Sequence, residues 1–254
     1  MSNDKTINIM TIRQLARHQY LETIQQDVNE FIIHLIDNIN NIKSVIEHRL
    51  NITLRCKVCN YTNTNSYTKY ILLLQLPENL KKSYTLQELI KYSFSHWNNV
   101  EKICTNCGAT STLEKTDIIM TGSIIILQLL LFKISNKKII KITEDLKIKS
   151  VPTEKICIGV NKYKVISGIF HQGKNIIDGH YTNIVRQGTE WRLLHDLKVQ
   201  KCNWPRNAKN AYIFFAEKIK SVYTKKSEIS KKPYFLKKEK IRQVHKKNPT
   251  LQQK

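Results

Sequence analysis

The sequence lacks any hydrophobic run long enough to cross a membrane as a helix. Its longest apolar stretch, Ile124 to Phe132, is interrupted by Gln128 and falls far short of the ~20 residues that a membrane-spanning helix needs. The N-terminal segment contains Asp4 and has no apolar core of the kind found in secretion signals. These absences argue against a helical membrane protein. We therefore expect no membrane partner and residence in the cytoplasm, the nucleus or both.

Acidic residues are scarce compared with basic ones. The chain has 20 Asp and Glu against 42 Lys and Arg, which gives a formal net charge of +22 at pH 7. Such a charge favours acidic partners. Lysine pairs are concentrated in residues 217–254, at positions 225–226, 231–232, 237–238 and 246–247. We expect this segment to be a poorly ordered basic tail. Its lysines can bind the phosphates of a nucleic acid or the carboxylates of another acidic partner.

The pattern of apolar residues predicts an α+β fold. Apolar residues recur every three or four positions between residues 27 and 48, which predicts an amphipathic helix capped by Asp27, with Glu30 at the capping-box position. A shorter helix is expected at 85–93, capped by Thr85. Short strands are predicted at 52–54, 70–76, 124–133, 163–171, 181–186, 190–194 and 211–216. An initial helix followed mostly by strands is typical of an α+β protein.

Four of the six cysteines form two CxxC pairs, Cys56 with Cys59 and Cys104 with Cys107. Each pair lets one tight turn place two sulfur atoms on the same ion, and two pairs complete a tetrahedral zinc site. Four thiolates leave no open position for catalysis, so we expect the zinc to be structural. The strands and helix between the pairs are expected to form an insert that the zinc clamps at its base. A zinc ribbon that reads nucleic acid is the alternative interpretation.

A histidine and an aspartate are placed where a strand–turn–strand hairpin can bring them together. His180 begins a predicted strand between Gly179 and Tyr181, and Asp196 follows after Trp191. A carboxylate that accepts the imidazole N–H fixes the tautomer and stabilises the imidazolium. A histidine that serves as the base for a thiol requires this arrangement.

Several segments resemble, in the same order, motifs of the ubiquitin-specific protease family of deubiquitinases. The first segment, 25–31, shares the family's Gln-Gln-Asp-x-x-Glu-Phe pattern. The others are the two CxxC pairs, the segments 126–132 and 163–171, the segment 179–181 together with Trp191 and Asp196, and the segment 211–215. The resemblance covers roughly residues 20–216. Each motif is modest on its own, but their common order indicates one family.

The resemblance implies a papain-like cysteine protease fold with thumb, palm and fingers. It implies thumb helices in residues 1–50, zinc-binding fingers in 51–120, a palm in 121–216 and the basic tail after it. The implied reaction is hydrolysis of the isopeptide bond after the C-terminal glycine of ubiquitin, and the implied partner is ubiquitin, a related modifier or a ubiquitinated protein.

The resemblance also implies roles for individual residues. His180 would be the general base that activates a cysteine thiol, and Asp196 would orient it. The substrate-binding residues would be Gln26, Asp27, Glu30, His171 and Tyr181. Asp27 and Glu30 would face the basic C-terminal tail of ubiquitin. For these two acids, helix capping is compatible with that role.

The sequence departs from the family pattern at the nucleophile. The family carries it in an Asn-x-Gly-x-x-Cys segment before the Gln-Gln-Asp helix, but residues 1–24 contain no cysteine. Cys157 and Cys202 do not match its place, and we interpret them as ordinary thiols. We therefore expect either a hydrolase domain that lacks its N-terminal part or a catalytically inactive ubiquitin-binding module.

Two further positions differ from the family. The fourth residue after Trp191 is usually Asp or Asn but is His195 here, and Leu131 replaces the usual arginine before Phe132. The sequence leaves open whether His195 or Asp196 takes the orienting position.

Overall fold

The computed structural model describes residues 26–220 except 80, 95, 136–137, 143–145, 152, 174–178 and 207. The predicted basic tail therefore lies outside the described residues, apart from its first four positions. The described part contains helices α1 (Val28–Asn38), α2 (Asn40–Ile46) and α3 (Leu86–Phe94) together with seventeen strands. This composition confirms the predicted α+β class. No helix among the described residues has the length and apolar character needed to cross a membrane.

The strands run through the chain in the following order. They are β1 (His48–Cys56), β2 (Thr62–Lys69), β3 (Leu72–Leu74), β4 (Ser83–Tyr84), β5 (Asn98–Glu101), β6 (Ser111–Met120), β7 (Ile124–Leu129), β8 (Phe132–Ser135), β9 (Lys138–Lys141), β10 (Lys147–Ile148), β11 (Ile156–Ile158), β12 (Asn161–Gln172), β13 (His180–Gln187), β14 (Glu190–His195), β15 (Lys198–Cys202), β16 (Ala208–Lys209) and β17 (Ala211–Lys218).

The main sheet has eight strands and holds most of the core. Its order is β15-β14-β13-β12-β17-β7-β3, and β11 pairs with β12. Neighbouring strands are antiparallel except β3 and β7, which are parallel. The strands at the centre of the sheet alternate little between buried and exposed residues, because α1 and α3 contribute to the same core. Leu127, Tyr163 and Phe214 are completely buried there.

A second sheet of four strands, which we call the finger sheet, has the order β2-β1-β6-β5. Its two central strands pair antiparallel, from Arg49 opposite Met120 at one end to Cys56 opposite Thr112 at the other. All four clustered cysteines lie at the latter end. The chain enters and leaves the finger sheet at the former end, through α2, β3 and β7. The four cysteines therefore lie at the tip of the finger sheet, where the two ends of the segment between the CxxC pairs meet.

The segment between the two CxxC pairs is shared by the two large sheets. Strands β2 and β5 belong to the finger sheet, whereas β3 forms an edge of the main sheet. Helix α3 buries Leu86, Leu89 and Ile90 in the main core. The remaining strands form two small sheets, β16-β10-β4 and β8-β9.

The long helix predicted over residues 27–48 is interrupted. It is capped by Asp27 as predicted, but α1 ends at Asn38, Ile39 takes an extended conformation and α2 follows. The Asn38 side chain donates a hydrogen bond to the backbone carbonyl of His34 at 2.8 Å. Asparagine competes with the helix by such local bonds, and the sequence Asn38-Ile39-Asn40 combines poor helix formers. The periodicity of the apolar residues continues across this break and therefore did not predict it.

Helix α3 begins as the sequence predicts. The Thr85 hydroxyl accepts from the Glu88 backbone N–H at 3.1 Å, and the Glu88 carboxylate accepts from the Thr85 backbone N–H at 2.6 Å. This reciprocal arrangement is a capping box. The helix spans 86–94, against the predicted 85–93.

The strand predictions were correct for most of the main sheet. The predicted strands at 163–171, 181–186, 190–194 and 211–216 correspond to β12, β13, β14 and β17. The predicted strand 124–133 is divided into β7 and β8, because the backbone N–H of Leu131 turns back to the carbonyl of Leu129. Strand β2 was not predicted, because it is polar and exposed along its whole length and so lacks an apolar alternation.

Candidate active site and metal centre

The two histidines of the predicted hairpin lie against each other. His180 is the first residue of β13 and His195 the last residue of β14, and the two strands pair with Asn183 opposite Leu194. Because side chains alternate along a strand, this register puts both histidines on the same face of the sheet. Their ring centroids are 4.5 Å apart. His195, whose role the sequence left open, therefore packs its ring against that of the predicted base.

Asp196 joins these histidines from the turn that follows β14. It has a φ of 52°, a left-handed conformation that aspartate tolerates better than most residues. Its Oδ2 lies 3.6 Å from Nδ1 of His195. One ligand atom from each of His180, His195 and Asp196 lies within 4.8 Å of the others. The structure thus brings the predicted catalytic pair together, with His195 as a third member that we call the hairpin triad.

The base of the hairpin is tightly packed around His180. The Nε2 atom of His180 is buried and has no hydrogen-bond partner among the described residues. The preceding residue must be glycine, because a Cβ at Gly179 would lie 2.4 Å from Nε2 of His171 and 2.6 Å from the Gln172 carbonyl oxygen. The close packing of His171 and Gln172 therefore explains why glycine precedes His180 in the sequence motif.

His171 lies inside the protein rather than on a binding surface. Its side chain is completely buried and its ring contacts the rings of Phe132, Tyr181 and Tyr212. Burial, and then the ammonium group of Lys141, lower the pKa of His171 from 6.5 to about 4. Its strand β12 pairs with β13, and His171 lies opposite Tyr181. The described structure therefore gives this predicted substrate-binding residue no exposed surface for a ligand.

Asp27 joins the start of α1 to strands β13 and β17 of the main sheet. Its Oδ1 accepts from the Asn29 backbone N–H at 3.0 Å, which caps the helix. The hydroxyl of Tyr181 donates to Oδ1 at 3.4 Å, and that of Tyr212 donates to Oδ2 at 3.2 Å. The Gln128 amide in turn donates to the Tyr212 hydroxyl at 2.9 Å. Burial, and then the Asp27 charge, raise the pKa of both tyrosines.

Two members of this network were missed by the sequence analysis. Gln128 was noted only as an interruption of an apolar run, and Tyr212 only as part of a strand. A buried glutamine in an apolar strand needs a partner, which is the signal that could have identified Gln128. Nothing local in the sequence pairs Tyr212 with Asp27, since 185 positions separate them.

The other two predicted substrate-binding residues lie at the same end of α1. Gln26 is half-buried just before the helix, and Glu30 is exposed in its first turn. Glu30 and Asp27 give this helix start an acidic edge in a protein whose net charge is positive. A negative charge there is also favoured by the helix dipole.

The four cysteines meet at the tip of the finger sheet. The Sγ atoms of Cys56 and Cys107 are 3.6 Å apart, and those of Cys59 and Cys104 are 3.7 Å apart. Sulfur atoms bound at about 2.3 Å to one tetrahedral zinc ion lie roughly 3.8 Å from each other. The described geometry therefore fits a four-thiolate site that could hold a metal ion.

Each CxxC pair lies in a turn of the same design. The residue after the second cysteine has a positive φ in both cases, 58° at Asn60 and 74° at Gly108. Its backbone N–H donates to the carbonyl of the first cysteine, at 3.1 Å in the Cys56 turn and 2.9 Å in the Cys104 turn. Asparagine and glycine are the residues that adopt this conformation most readily. The residues that follow the pairs are therefore part of the site.

Hydrogen bonds to the sulfur atom of Cys59 favour its thiolate form, which is the form that binds a metal. The Asn106 side-chain amide donates to Sγ of Cys59 at 3.6 Å. This bond, followed by the backbone N–H of Tyr61, lowers the pKa of Cys59 to about 6. Thiolates are soft ligands that suit zinc.

The two remaining cysteines lie away from the hairpin triad. Cys157 is exposed on β11, where its backbone exchanges hydrogen bonds with the Gln87 side chain. Cys202 lies on β15 opposite Trp191, and burial raises the pKa of its thiol. The described residues include all six cysteines of the sequence, and the hairpin triad contains none of them. The raised pKa of Cys202 disfavours the thiolate form that a nucleophile needs, and neither Cys157 nor Cys202 belongs to the hairpin triad.

Comparisons with known proteins give a family and a fold. A family model described as ubiquitin carboxyl-terminal hydrolase matches residues 4–215. No curated protein matches the sequence.

Solved structures of similar fold include deubiquitinating (DUB) modules that contain Ubp8. One is the SAGA Ubp8/Sgf11/Sus1/Sgf73 module bound to ubiquitin aldehyde, with 18% identity and a TM-score of 0.66 over 84% of this chain and 53% of that chain. The same module with a substituted Ubp8, bound to monoubiquitin, has 20% identity and a TM-score of 0.65 over 83% and 51%. A yeast module with a mutant Sgf73 has 18% identity and a TM-score of 0.59 over 76% and 49%. The chain thus spans about half the length of the solved chains it matches.

Proposed function

Because the chain belongs to the ubiquitin carboxyl-terminal hydrolase family, we propose that it recognises the C-terminal tail of ubiquitin and carries the base of a thiol-dependent isopeptide hydrolase. The observation that carries this proposal is the hairpin triad, which holds His180 with its Nε2 buried and without a partner among the described residues. Such an imidazole is restrained by the fold and keeps a nitrogen available for chemistry.

In this proposal His180 removes the proton from a cysteine thiol and later returns it to the leaving amine. His195 packs against the His180 ring and Asp196 approaches His195, so these two residues limit the rotation of the base. Asp196 then acts on His180 largely through His195. Gly179 and the buried His171 fix the backbone from which His180 projects.

The nucleophile is the part of the reaction that this sequence does not supply. None of its six cysteines belongs to the hairpin triad. Members of such a catalytic group act as a unit, so a base without its thiol gives no measurable acyl transfer. This observation favours a second candidate function, a ubiquitin-binding module without hydrolase activity. The first candidate requires a thiol from residues beyond those of this sequence.

The acidic start of α1 is the proposed contact for the ubiquitin tail. Asp27, Glu30 and Gln26 lie there, and Tyr181 links this helix start to β13, the strand that begins with His180. A basic peptide tail is attracted to this edge although the protein as a whole is basic. We further propose that the cysteine site holds structural zinc, which ties the tip of the finger sheet, and that the protein works in the nucleus or the cytoplasm.

The binding half of the proposal is tested by titrating isotopically labelled ubiquitin with the zinc-loaded chain and recording its NMR spectrum. Expected are shifts concentrated in the C-terminal tail of ubiquitin. Glu30→Lys should weaken binding at least about tenfold, because it reverses a charge at the proposed contact. Asp37→Lys is the matched control, since Asp37 is exposed on the last turn of the same helix. Equal effects of the two variants, or no shift even at high micromolar ubiquitin, would refute the proposed contact.

The two candidate functions can be distinguished by measuring the intact mass of the protein isolated from its native cells. A mass well above 29.8 kDa, with a cysteine-containing peptide upstream of Met1, would support the hydrolase. A mass near 29.8 kDa, together with ubiquitin binding and no cleavage of a ubiquitin–fluorophore conjugate, would support the binding module.

A further inference from the structure

We propose that the hairpin triad of His180, His195 and Asp196 is a second metal site, which takes a divalent transition-metal ion such as Zn²⁺, Ni²⁺ or Cu²⁺. The site is separate from the four cysteines of the finger sheet. Metal binding there requires neither ubiquitin nor a catalytic thiol, so this proposal can be tested independently of the proposed hydrolase function.

The chemistry of the three side chains defines the class of ion. Two imidazoles and one carboxylate suit borderline transition metals, whereas oxygen-only sites suit Mg²⁺ and Ca²⁺. Three protein ligands leave positions for water, which the exposed side chains of His195 and Asp196 make accessible. The cysteine site is closed by comparison, since its four sulfur atoms fill a tetrahedral shell.

The geometry requires only a small adjustment. The three ligand atoms lie within 4.8 Å of one another, and His195 Nδ1 is already 3.6 Å from Asp196 Oδ2. Ligand atoms bound at about 2.0–2.2 Å to a tetrahedral ion lie roughly 3.3–3.6 Å apart. Rotation of the exposed Asp196 and His195 side chains closes this difference, while the strand β13 holds His180 in place.

The unpartnered nitrogen of His180 points to a ligand on independent grounds. Buried side-chain nitrogens are normally hydrogen-bonded, and Nε2 of His180 has no such partner among the described residues. The ring packed against His180 is a second imidazole, that of His195, with the ring centroids 4.5 Å apart. A metal ion satisfies both imidazoles at once.

Occupation of this site has a functional consequence. A metal ion bound to His180 takes up the lone pair that would accept a proton from a thiol. The ion would therefore hold any hydrolase built on this hairpin in an inactive state until it dissociates.

The test uses the full chain, stripped of metal under reducing conditions and titrated with Co²⁺. We expect the chain to bind two equivalents of Co²⁺ that give different absorption spectra. The first gives the strong charge-transfer absorption of thiolate-bound cobalt, and the second gives only the weak d–d bands of nitrogen and oxygen ligands. His195→Asn should weaken the second equivalent at least about tenfold and leave the first unchanged. His96→Asn is the matched control, because His96 is a partly buried histidine outside both clusters.

A second measurement guards against misfolding of the variants. Zn²⁺ added to the wild-type chain with its cysteine site already filled should shift the imidazole NMR signals of His180 and His195. A single thiolate-type equivalent in the titration, an unchanged second equivalent in His195→Asn, or imidazole signals that do not respond to Zn²⁺ would each overturn the proposal.

Discussion

At Asp27 a single carboxylate serves three partners that are far apart in the sequence. It caps α1 through the Asn29 backbone and accepts hydrogen bonds from Tyr181 on β13 and Tyr212 on β17. The sequence predicted the cap from local pattern alone. The tyrosine partners follow only from the packing of α1 against the main sheet.

Replacing Asp27 should therefore cost more than a helix cap. We expect Asp27→Ala to lower the free energy of unfolding by about 2–4 kcal/mol, because it removes the cap and leaves two partly buried hydroxyls without their acceptor. Asp37→Ala, at the exposed end of the same helix, should change it by less than about 0.5 kcal/mol. Urea unfolding curves of both variants measure this difference, and similar values for the two would contradict the network.

Two buried histidines make the protein sensitive to acid. His48 and His171 are completely buried, and burial lowers the pKa of each from 6.5 to about 4. The unfolded chain takes up these protons first as the pH falls, because its histidines keep the higher pKa. Stability contributed by the neutral rings is present above pH 6.5 and is lost between pH 6.5 and 4.

The free energy of unfolding should accordingly fall by up to about 3 kcal/mol for each histidine over that range. The measurement is a series of urea unfolding curves between about pH 7.5 and pH 4.5 on the zinc-loaded chain. His171→Phe keeps an aromatic ring among Phe132, Tyr181 and Tyr212 but cannot titrate, so its pH dependence should be shallower than that of the wild type. Parallel curves for the two proteins would show that His171 does not titrate in this way.

At the scale of elements, the finger sheet depends on its tip. Strand β2 is exposed along its whole length and contributes no residue to the buried core. A sheet with so little apolar burial needs another source of stability. We expect the two cysteine turns to provide it, since a metal ion that joined them would hold β1 and β6 in register at the end farthest from the main sheet.

Loss of one cysteine ligand should loosen this sheet selectively. We expect the wild-type chain to keep its zinc during dialysis against a weak chelator and Cys59→Ser to lose it. Hydrogen exchange in β1 and β6 of this variant should be at least tenfold faster, which corresponds to a loss of about 1.4 kcal/mol in the free energy of opening. Strands β12 and β17 should keep their protection. Cys157→Ser is the control, because Cys157 lies outside the cluster. Equal exchange in the finger sheets of both variants would show that the turns are not tied by metal.

At the scale of the whole molecule, charge is divided between two kinds of surface. The acidic start of α1 is the proposed site for a basic peptide, whereas the lysine pairs are concentrated beyond the described residues, in 221–254. The two features predict different partners. They should therefore respond differently to salt and to truncation.

Removal of residues 221–254 should abolish binding to single-stranded nucleic acid and leave ubiquitin binding unchanged. Binding through lysine and phosphate depends steeply on salt, because it releases counterions. Fluorescence anisotropy with a labelled oligonucleotide at two salt concentrations measures the first effect, and the ubiquitin titration measures the second. Nucleic-acid affinity that survives truncation would place that site elsewhere in the chain.

The sequence by itself determined the features that are local or carried by residue type. These include the α+β class, the capping of α1 and α3, most strands of the main sheet, the four-cysteine cluster and the hairpin that pairs His180 with Asp196. Such features depend on spacing, turn chemistry and apolar periodicity, which act over a few residues and are visible in one segment at a time.

Only the tertiary structure decided how those segments meet. It placed the cysteines at the tip of the finger sheet, His171 inside the protein, Tyr212 in hydrogen-bond contact with Asp27, and His195 beside both His180 and Asp196. These relations join residues that are distant in the chain, or depend on strand register, where a shift of one residue turns a side chain to the opposite face. No local pattern encodes them, because packing against the rest of the molecule fixes them.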